Sequence, residues 1–162
     1  MTDLIGPQQA ILITSQASIE EFGKQSFKDD IETVFWHMPV SKEELLYAIA
    51  VHNSKNIISL IEESKVFAVN FLPFNLEKEV HQCNLIHGRH IDKFEKLNFT
   101  KKEASNIECC YIKEACAHLE CHVFETLNFK DYTVFIAKII NSSIEYDVKR
   151  LFHLRKDQYT TT

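Results

Sequence analysis

The sequence predicts a mainly β domain, an antiparallel barrel or sandwich with a few short helices set between its strands. Three observations lead there. Residues 115–129 (ACAHLECHVFETLNF) alternate for most of their length, and after a turn at 128–132 the β-branched run 133–140 (TVFIAKII) returns, the pattern of a long hairpin. Residues 45–51 and 66–71 are short apolar runs separated by a polar turn and one helical segment. Only three glycines occur, Gly6, Gly23 and Gly88, so neither GxGxxG nor a Walker loop can be written, and no regular βαβ alternation runs through the chain.

Taken in order, residues 9–14 (QAILIT) read as a first strand. Residues 17–31 are polar and mixed with no clear period, and read as a long loop with at most one helical turn. Residues 32–38 (ETVFWHM) are β-branched and aromatic, a second strand that Pro39 should end because proline donates no ladder hydrogen bond. If this strand is extended, Trp36 and His37 lie on opposite faces.

Residues 45–51 form the next strand and run into the polar stretch His52-Asn53-Ser54-Lys55-Asn56. Ile57–Ser64 has helical spacing, with Ile57, Leu60 and Ile61 on one side and Glu62 and Glu63 opposite. Val66–Phe71 is a buried-strand pattern. Asn75 suits an N-cap before a helix over 76–83, with Glu77 in its first turn. Residues 91–97 read as a short amphipathic helix carrying Phe94 and Leu97 on one side, and 101–107 as polar and helix-compatible. After Asp147 the chain is mixed. Leu151, Phe152 and Leu154 should dock, and the terminal threonines should fray.

The turn after Val51 is the chemically suggestive stretch. A helix start presents unpaired N–H groups and a positive dipole end, which attract anions. Asn56 is a candidate cap, with Ser54 the alternative. Ser54 offers a hydroxyl and Lys55 a mobile positive charge. Taken alone, the turn reads first as an ordinary capped helix with a solvated lysine, and second as a seat for phosphate.

The 162 residues read as a single domain, 1–162, large enough for a core of its own. At 45% hydrophobic and 25% charged the composition is that of a globular protein, and no apolar window reaches the length of a membrane span. The N-terminus lacks a signal-peptide pattern, so the expectation is a cytoplasmic protein without membrane partners. A net charge of −5 with no long basic run argues against nucleic acid as a partner. Five cysteines without a framework spacing are expected to be mostly reduced.

Across nearly its whole length the chain resembles the flavin reductase-like family of FMN-binding split barrels, and within it the flavoredoxin-like proteins. The resemblance rests on ordered pieces: AILIT at 10–14, Trp36 with Pro39-Val40-Ser41, LYAIAV at 46–51, LIEES at 60–64 and FAVNF at 67–71. Cys83, Gly88, DKF at 92–94, IKEA at 112–115, LEC at 119–121 and the closing hairpin complete it. It implies a Greek-key antiparallel split β-barrel that forms a homodimer and binds FMN near the subunit interface. It implies a flavin-binding set of Thr33, Val34, Phe35, Trp36, His37, Val51, His52, Ser54, Lys55, Asn70, His87, Gly88, His90 and Lys93. It also implies electron transfer or flavin reduction, with NAD(P)H or a redox protein as donor. The chain departs from the family pattern at Ile57, where relatives often carry a hydroxyl, at His52 and His87, where they carry smaller residues, and at Lys42-Glu43-Glu44, which replaces a common Pro-Pro.

Two rival chemistries sit in the same residues. His118, Glu120 and His122 share one strand face, which suggests a histidine-rich metal-binding regulator. Residues two apart on a strand are roughly 6.5–7 Å apart, too far for all three to hold one ion, and a polar outer face is the plainer reading. Adjacent Cys109 and Cys110 could form a redox pair or be two loop cysteines.

Overall fold

The computed structural model describes residues 6–87 and 90–162. Its centre is a seven-stranded antiparallel sheet in the order β3-β2-β6-β9-β10-β5-β4. These are β2 (Ile11–Glu21), β3 (Lys24–Val34), β4 (His37–Ser41), β5 (Leu46–His52), β6 (Val66–Phe71), β9 (Ala117–Asn128) and β10 (Tyr132–Ile144). The two edges of that order, β3 and β4, are consecutive in the chain and separated only by Phe35 and Trp36. Two residues cannot cross a flat seven-stranded sheet, so the sheet curls until its edges meet. Trp36 ties the join, its carbonyl accepting from the Ala50 N–H at 2.8 Å. Register shifts in the β9–β10 pair at Ile136/Ala137 and Ile139/Asn141 add the local bending that closure demands.

The inside of the curl is apolar. Ile11, Ile13, Ile49, Phe67, Val69, Cys121 and Phe135 are all fully buried there. Helix α1 (Ile57–Ser64) drops Ile57 and Ile61 into this core. The alternate residues of β2, Ala10 before it and Leu12 within it, face a second cluster outside the sheet. There they meet α2 (Glu77–Leu85), α3 (Lys93–Lys96) and β8 (Cys110–Ile112). Both faces of this strand are therefore covered, as its uninterrupted ILIT requires. β7 (Lys101–Glu103) pairs with β8, and β1 (Gln8–Gln9) pairs with the C-terminal hairpin of β11 (Leu151–Arg155) and β12 (Gln158–Thr161). Among the described residues no helix is long and apolar enough to cross a membrane.

Several expectations are corrected. Residues 17–31 are not a loop. They are the outer half of the β2–β3 hairpin, turning at Phe22 and Gly23 with φ of 51° and 73°. With φ positive at both positions this is the left-handed kind of two-residue turn, and phenylalanine is an uncommon residue there. On this outer half one face is only partly covered, with Ile19 and Glu21 half-buried between exposed Ser18 and Glu20, and polar residues occupy both faces, so the period-two signal fades. Pro39 does not end a strand: the break falls at Phe35-Trp36, and Pro39 lies within the edge strand β4, opposite Tyr47. An edge strand tolerates proline where its missing N–H would face outward. Residues 101–103 are strand rather than helix. Asn75 lies inside a 3-10 turn (Phe74–Leu76), and Leu76 occupies the N-cap of α2. The terminal threonines are not frayed, since Thr160 and Thr161 pair with Phe152 and Leu151.

The polar face of β9 is also corrected. His118 and Glu120 are buried, covered by Tyr111 of β8 and by residues 105 and 106. His122 alone of the three is exposed. Among the described residues no group of three His, Cys, Asp or Glu could hold a metal ion. All five cysteines are free and buried, and Cys110 opens strand β8 rather than lying in a loop.

Candidate functional site

The barrel seam is the place where the chain gathers chemistry. Between the end of β3, the end of β5 and the β9–β10 turn lies a cavity of about 160 Å³. Thr33, Val34, Phe35, Trp36, Val51, His52 and Lys55 line it, together with Gln8, Glu32, Ala50, Asn84, Tyr132 and His153. It shares Gln8, Trp36 and Ala50 with an apolar groove of about 440 Å³, whose other walls are His37, Met38, Ala48, Ile49 and Val134. Cavity and groove together fall within the roughly 300–1,000 Å³ of a small-molecule site. One end is apolar and the other carries Glu32, Lys55 and His52.

The position of the polar end follows from the turn at 52–56. Asn53 fastens it to the β9–β10 turn: its amide donates to the carbonyls of Phe129 (3.0 Å) and Lys130 (3.3 Å), and its backbone N–H to that of Asp131. Thr133 donates its hydroxyl to the Asn53 side-chain oxygen at 2.9 Å. Asn56 holds the N-cap place in helical backbone conformation and makes no capping bond with its side chain. Tyr132, opposite His52 in the ladder, stacks on Trp36 with ring centroids 4.8 Å apart and meets His52 edge-on. Phe35 stacks on His153 of the C-terminal hairpin at 4.2 Å.

Lys55 turns inward. Its ammonium lies 2.8 Å from Oε1 of Glu32, whose side chain is 2% exposed. The same oxygen accepts from the Thr33 N–H at 3.2 Å. The other oxygen, Oε2, lies 3.2 Å from Lys93, which also pairs with Asp30 at 3.0 Å and donates to the Ile31 carbonyl. Burial pulls the Lys93 pKa down, but Glu32 and Asp30 outweigh it and hold the group above its ordinary value. Burial raises Asp30, against the pull of Lys93.

The remaining residues of the expected set are placed as follows. His37 sits on the apolar groove with both ring nitrogens engaged, Nδ1 with the Tyr47 hydroxyl and Nε2 with the Gln9 carbonyl at 2.8 Å. Burial lowers its pKa and favours the neutral ring. Ser54 does not line the cavity; it is exposed and hydrogen-bonds His52 Nδ1 at 2.8 Å. Asn70 is fully buried away from the seam, donating to Leu12 and Thr14 and accepting from the Ile112 N–H at 2.8 Å. Lys93 touches the cavity only through Glu32. His87 and His90 are exposed and line neither the cavity nor the groove. Gly88 lies outside the described residues.

Of the cavity lining, sequence reasoning missed Gln8, Glu32, Ala50, Asn84, Tyr132 and His153. Glu32 had a signal, since a carboxylate in the run ETVFW must be paired if that strand is buried. Tyr132 could have been read from the hairpin register. Gln8 and His153 reach the seam through β1–β11 pairing, which no local pattern announces.

A family model described as flavin reductase like domain matches residues 6–162. An uncharacterized protein of Archaeoglobus fulgidus is 32% identical over 114 residues, which cover 70% of this chain and 64% of that protein, so the match spans less than two thirds of its relative. Among solved structures, an FMN-binding protein from Thermus thermophilus with bound 1-cyclohex-2-enone superposes with a TM-score of 0.81 at 17% identity, covering 96% of this chain and 86% of that one. Flavoredoxin from Methanosarcina acetivorans gives a TM-score of 0.79 at 23% identity, covering 96% and 85%.

Proposed function

The chain belongs to the flavin reductase like family and has its split-barrel fold, and from that premise we propose that it binds FMN at the seam and works in electron transfer. The observation that carries this reading is the adjacency of the apolar groove and the polar cavity, which share Gln8, Trp36 and Ala50 as walls. A flat ring system needs apolar walls and a few donors, and a charged tail needs a separate polar end. Trp36, Ala48, Ile49 and Val134 offer the walls, and Lys55 with the turn at 52–56 offers the polar end. The residues present therefore suit a flavin, its ring against the apolar walls and its tail at the polar end.

Bound FMN would supply the electron and hydride chemistry. The chain's part is to hold it, shield it and admit a donor. His37 has both nitrogens committed and no proton to spare. Lys93 is buried and neutralised, so it offers no free charge to an anionic nucleotide. Among the described residues no cluster of arginines lines the cavity or the groove. We therefore favour a redox-protein donor over direct reduction by NAD(P)H.

One experiment tests both parts. FMN titration, followed by quenching of flavin fluorescence, should saturate near one flavin per chain at micromolar concentrations. Stopped-flow mixing of the loaded protein with NADH or NADPH should then bleach it slowly or not at all. No saturable binding would sink the flavin site, and fast saturable bleaching would replace the carrier with a reductase.

A further inference from the structure

The one lysine at the polar end of the cleft does not face it as a free charge. Lys55 is paired with Glu32, and Glu32 is held in place from three directions. Its Oε1 accepts from Lys55 at 2.8 Å and from the Thr33 N–H at 3.2 Å, and its Oε2 meets Lys93 at 3.2 Å. Lys93 is in turn matched by Asp30. Among the described residues, two lysines therefore meet two carboxylates here, and neither ammonium is left without a carboxylate partner. A phosphate of roughly −1.5 to −2 charges arriving at Lys55 would sit beside an anion already bonded to the same ammonium. A ligand tail of neutral hydroxyls meets no such opposition, because a carboxylate and an ammonium can both hydrogen-bond it.

We propose that Glu32 is a specificity-determining residue that occupies the anion seat at Lys55, so that the cleft takes flavins with little preference for a phosphorylated tail. The proposal rests on the flavin-site reading. Glu32 is suited to this role because it keeps a second cation. When an incoming phosphate takes Lys55, the carboxylate remains bonded to Lys93 and the Thr33 N–H, and stays within repulsive range. The phosphate thus replaces one favourable contact with another and gains little. A flavin held mostly by its ring and ribityl chain exchanges more readily than one also anchored by its phosphate. That is the behaviour of a carrier loaded from solution rather than of a protein with a permanent cofactor.

The test compares FMN with riboflavin, which differ only in the phosphate, by fluorescence titration against the whole chain. The native protein should bind the two within about threefold of each other, where one unopposed charge-assisted contact would give roughly 10- to 150-fold in favour of FMN. Glu32→Gln frees Lys55 while leaving Lys93 matched by Asp30, and should raise the FMN-to-riboflavin preference at least about tenfold. Lys55→Ala, which removes the cation while Glu32 stays held by Lys93 and the Thr33 N–H, gives a reading that does not depend on Glu32→Gln folding and should shift the preference by less than about threefold in the native background. A strong FMN preference in the native protein that Lys55→Ala abolishes would overturn the proposal, as would a Glu32→Gln preference equal to the native one. No saturable binding of either flavin by the native protein would instead refute the flavin site itself, and the proposal with it.

Discussion

Replacing Glu120 by glutamine should destabilise the fold by about 3 kcal/mol. The carboxylate is fully buried on the outer face of β9 and accepts four hydrogen bonds. Oε1 takes one from the Tyr111 hydroxyl, one from Asn141 Nδ2 at 3.0 Å and one from the Ser105 N–H at 3.1 Å. Oε2 takes one from the Asn106 N–H at 2.7 Å. An amide can satisfy only one side. With its oxygen in the place of Oε1, its NH₂ meets the Asn106 N–H donor to donor, which costs about 1–3 kcal/mol, and the three bonds kept lose their charge reinforcement. Taking about 3 kcal/mol and a urea m-value near 2 kcal/mol/M, the unfolding midpoint should fall by roughly 1.5 M. The pH dependence supplies an independent check. Burial pushes the Glu120 pKa up, but its hydrogen bonds outweigh that and hold it below the usual 4.5. The folded state thus prefers the carboxylate. Its contribution is fully present above pH 4.5 and is lost as the pH falls through the lower folded value, so the gap between native and variant should narrow on acidification below 4.5. Urea melts at several pH values measure both. Midpoints within about 0.3 M at neutral pH, or a gap that widens in acid, would refute the reasoning.

Lys93→Met should cost about 3–5 kcal/mol in the same urea assay, because it leaves the Asp30 carboxylate without its cation and takes one of the two cations from buried Glu32. Lys93 is held above its ordinary 10.5, so its contribution is intact below that pH and declines above it in the native protein but not in the variant; equal alkaline profiles would count against the pairing. The chain should sediment as a homodimer at tens of micromolar, since the exposed Phe124, Phe129 and Ile144 on the β9–β10 hairpin are large apolar groups left in water. A purely monomeric boundary would count against the homodimer that the family resemblance implies.

Local patterns made much of the fold legible. The alternation on β9, the apolar return of β10 and the spacing of Ile57, Leu60 and Ile61 are each set by one face meeting a core, and each appears where the residues place it. The outer half of the β2–β3 hairpin was illegible because it lies beyond the core and turns on an atypical Phe-Gly pair. The inward burial of His118 and Glu120 was illegible for a different reason. What covers them, Tyr111 and the backbone of residues 105 and 106, comes from a β7–β8 unit whose docking is a long-range event. The candidate site divides in the same way. Thr33 to Trp36, Val51, His52 and Lys55 line the cavity from two strand ends, whereas Asn70 and Lys93 are turned to structural duties. The sequence named Lys55 as a charge for phosphate and could not say that Glu32 already answers it, because a side chain's partner across the seam leaves no mark on spacing.

Phe35 and Trp36 are at once the hinge between the two sheet edges and a wall of the cleft. A ligand lodged there bridges β3, β5 and the hairpin turn, the segments whose meeting shuts the barrel. Affinity and the mechanical integrity of the seam are then two readings of one thermodynamic cycle: a guest at a hundred times its dissociation constant would add about 2.7 kcal/mol against unfolding. That added resistance would be concentrated where the sheet is held by a short link and the Ala50–Trp36 bond, rather than spread through the core. Without the guest the same barrel would hold a looser seam, open to proteolysis more often.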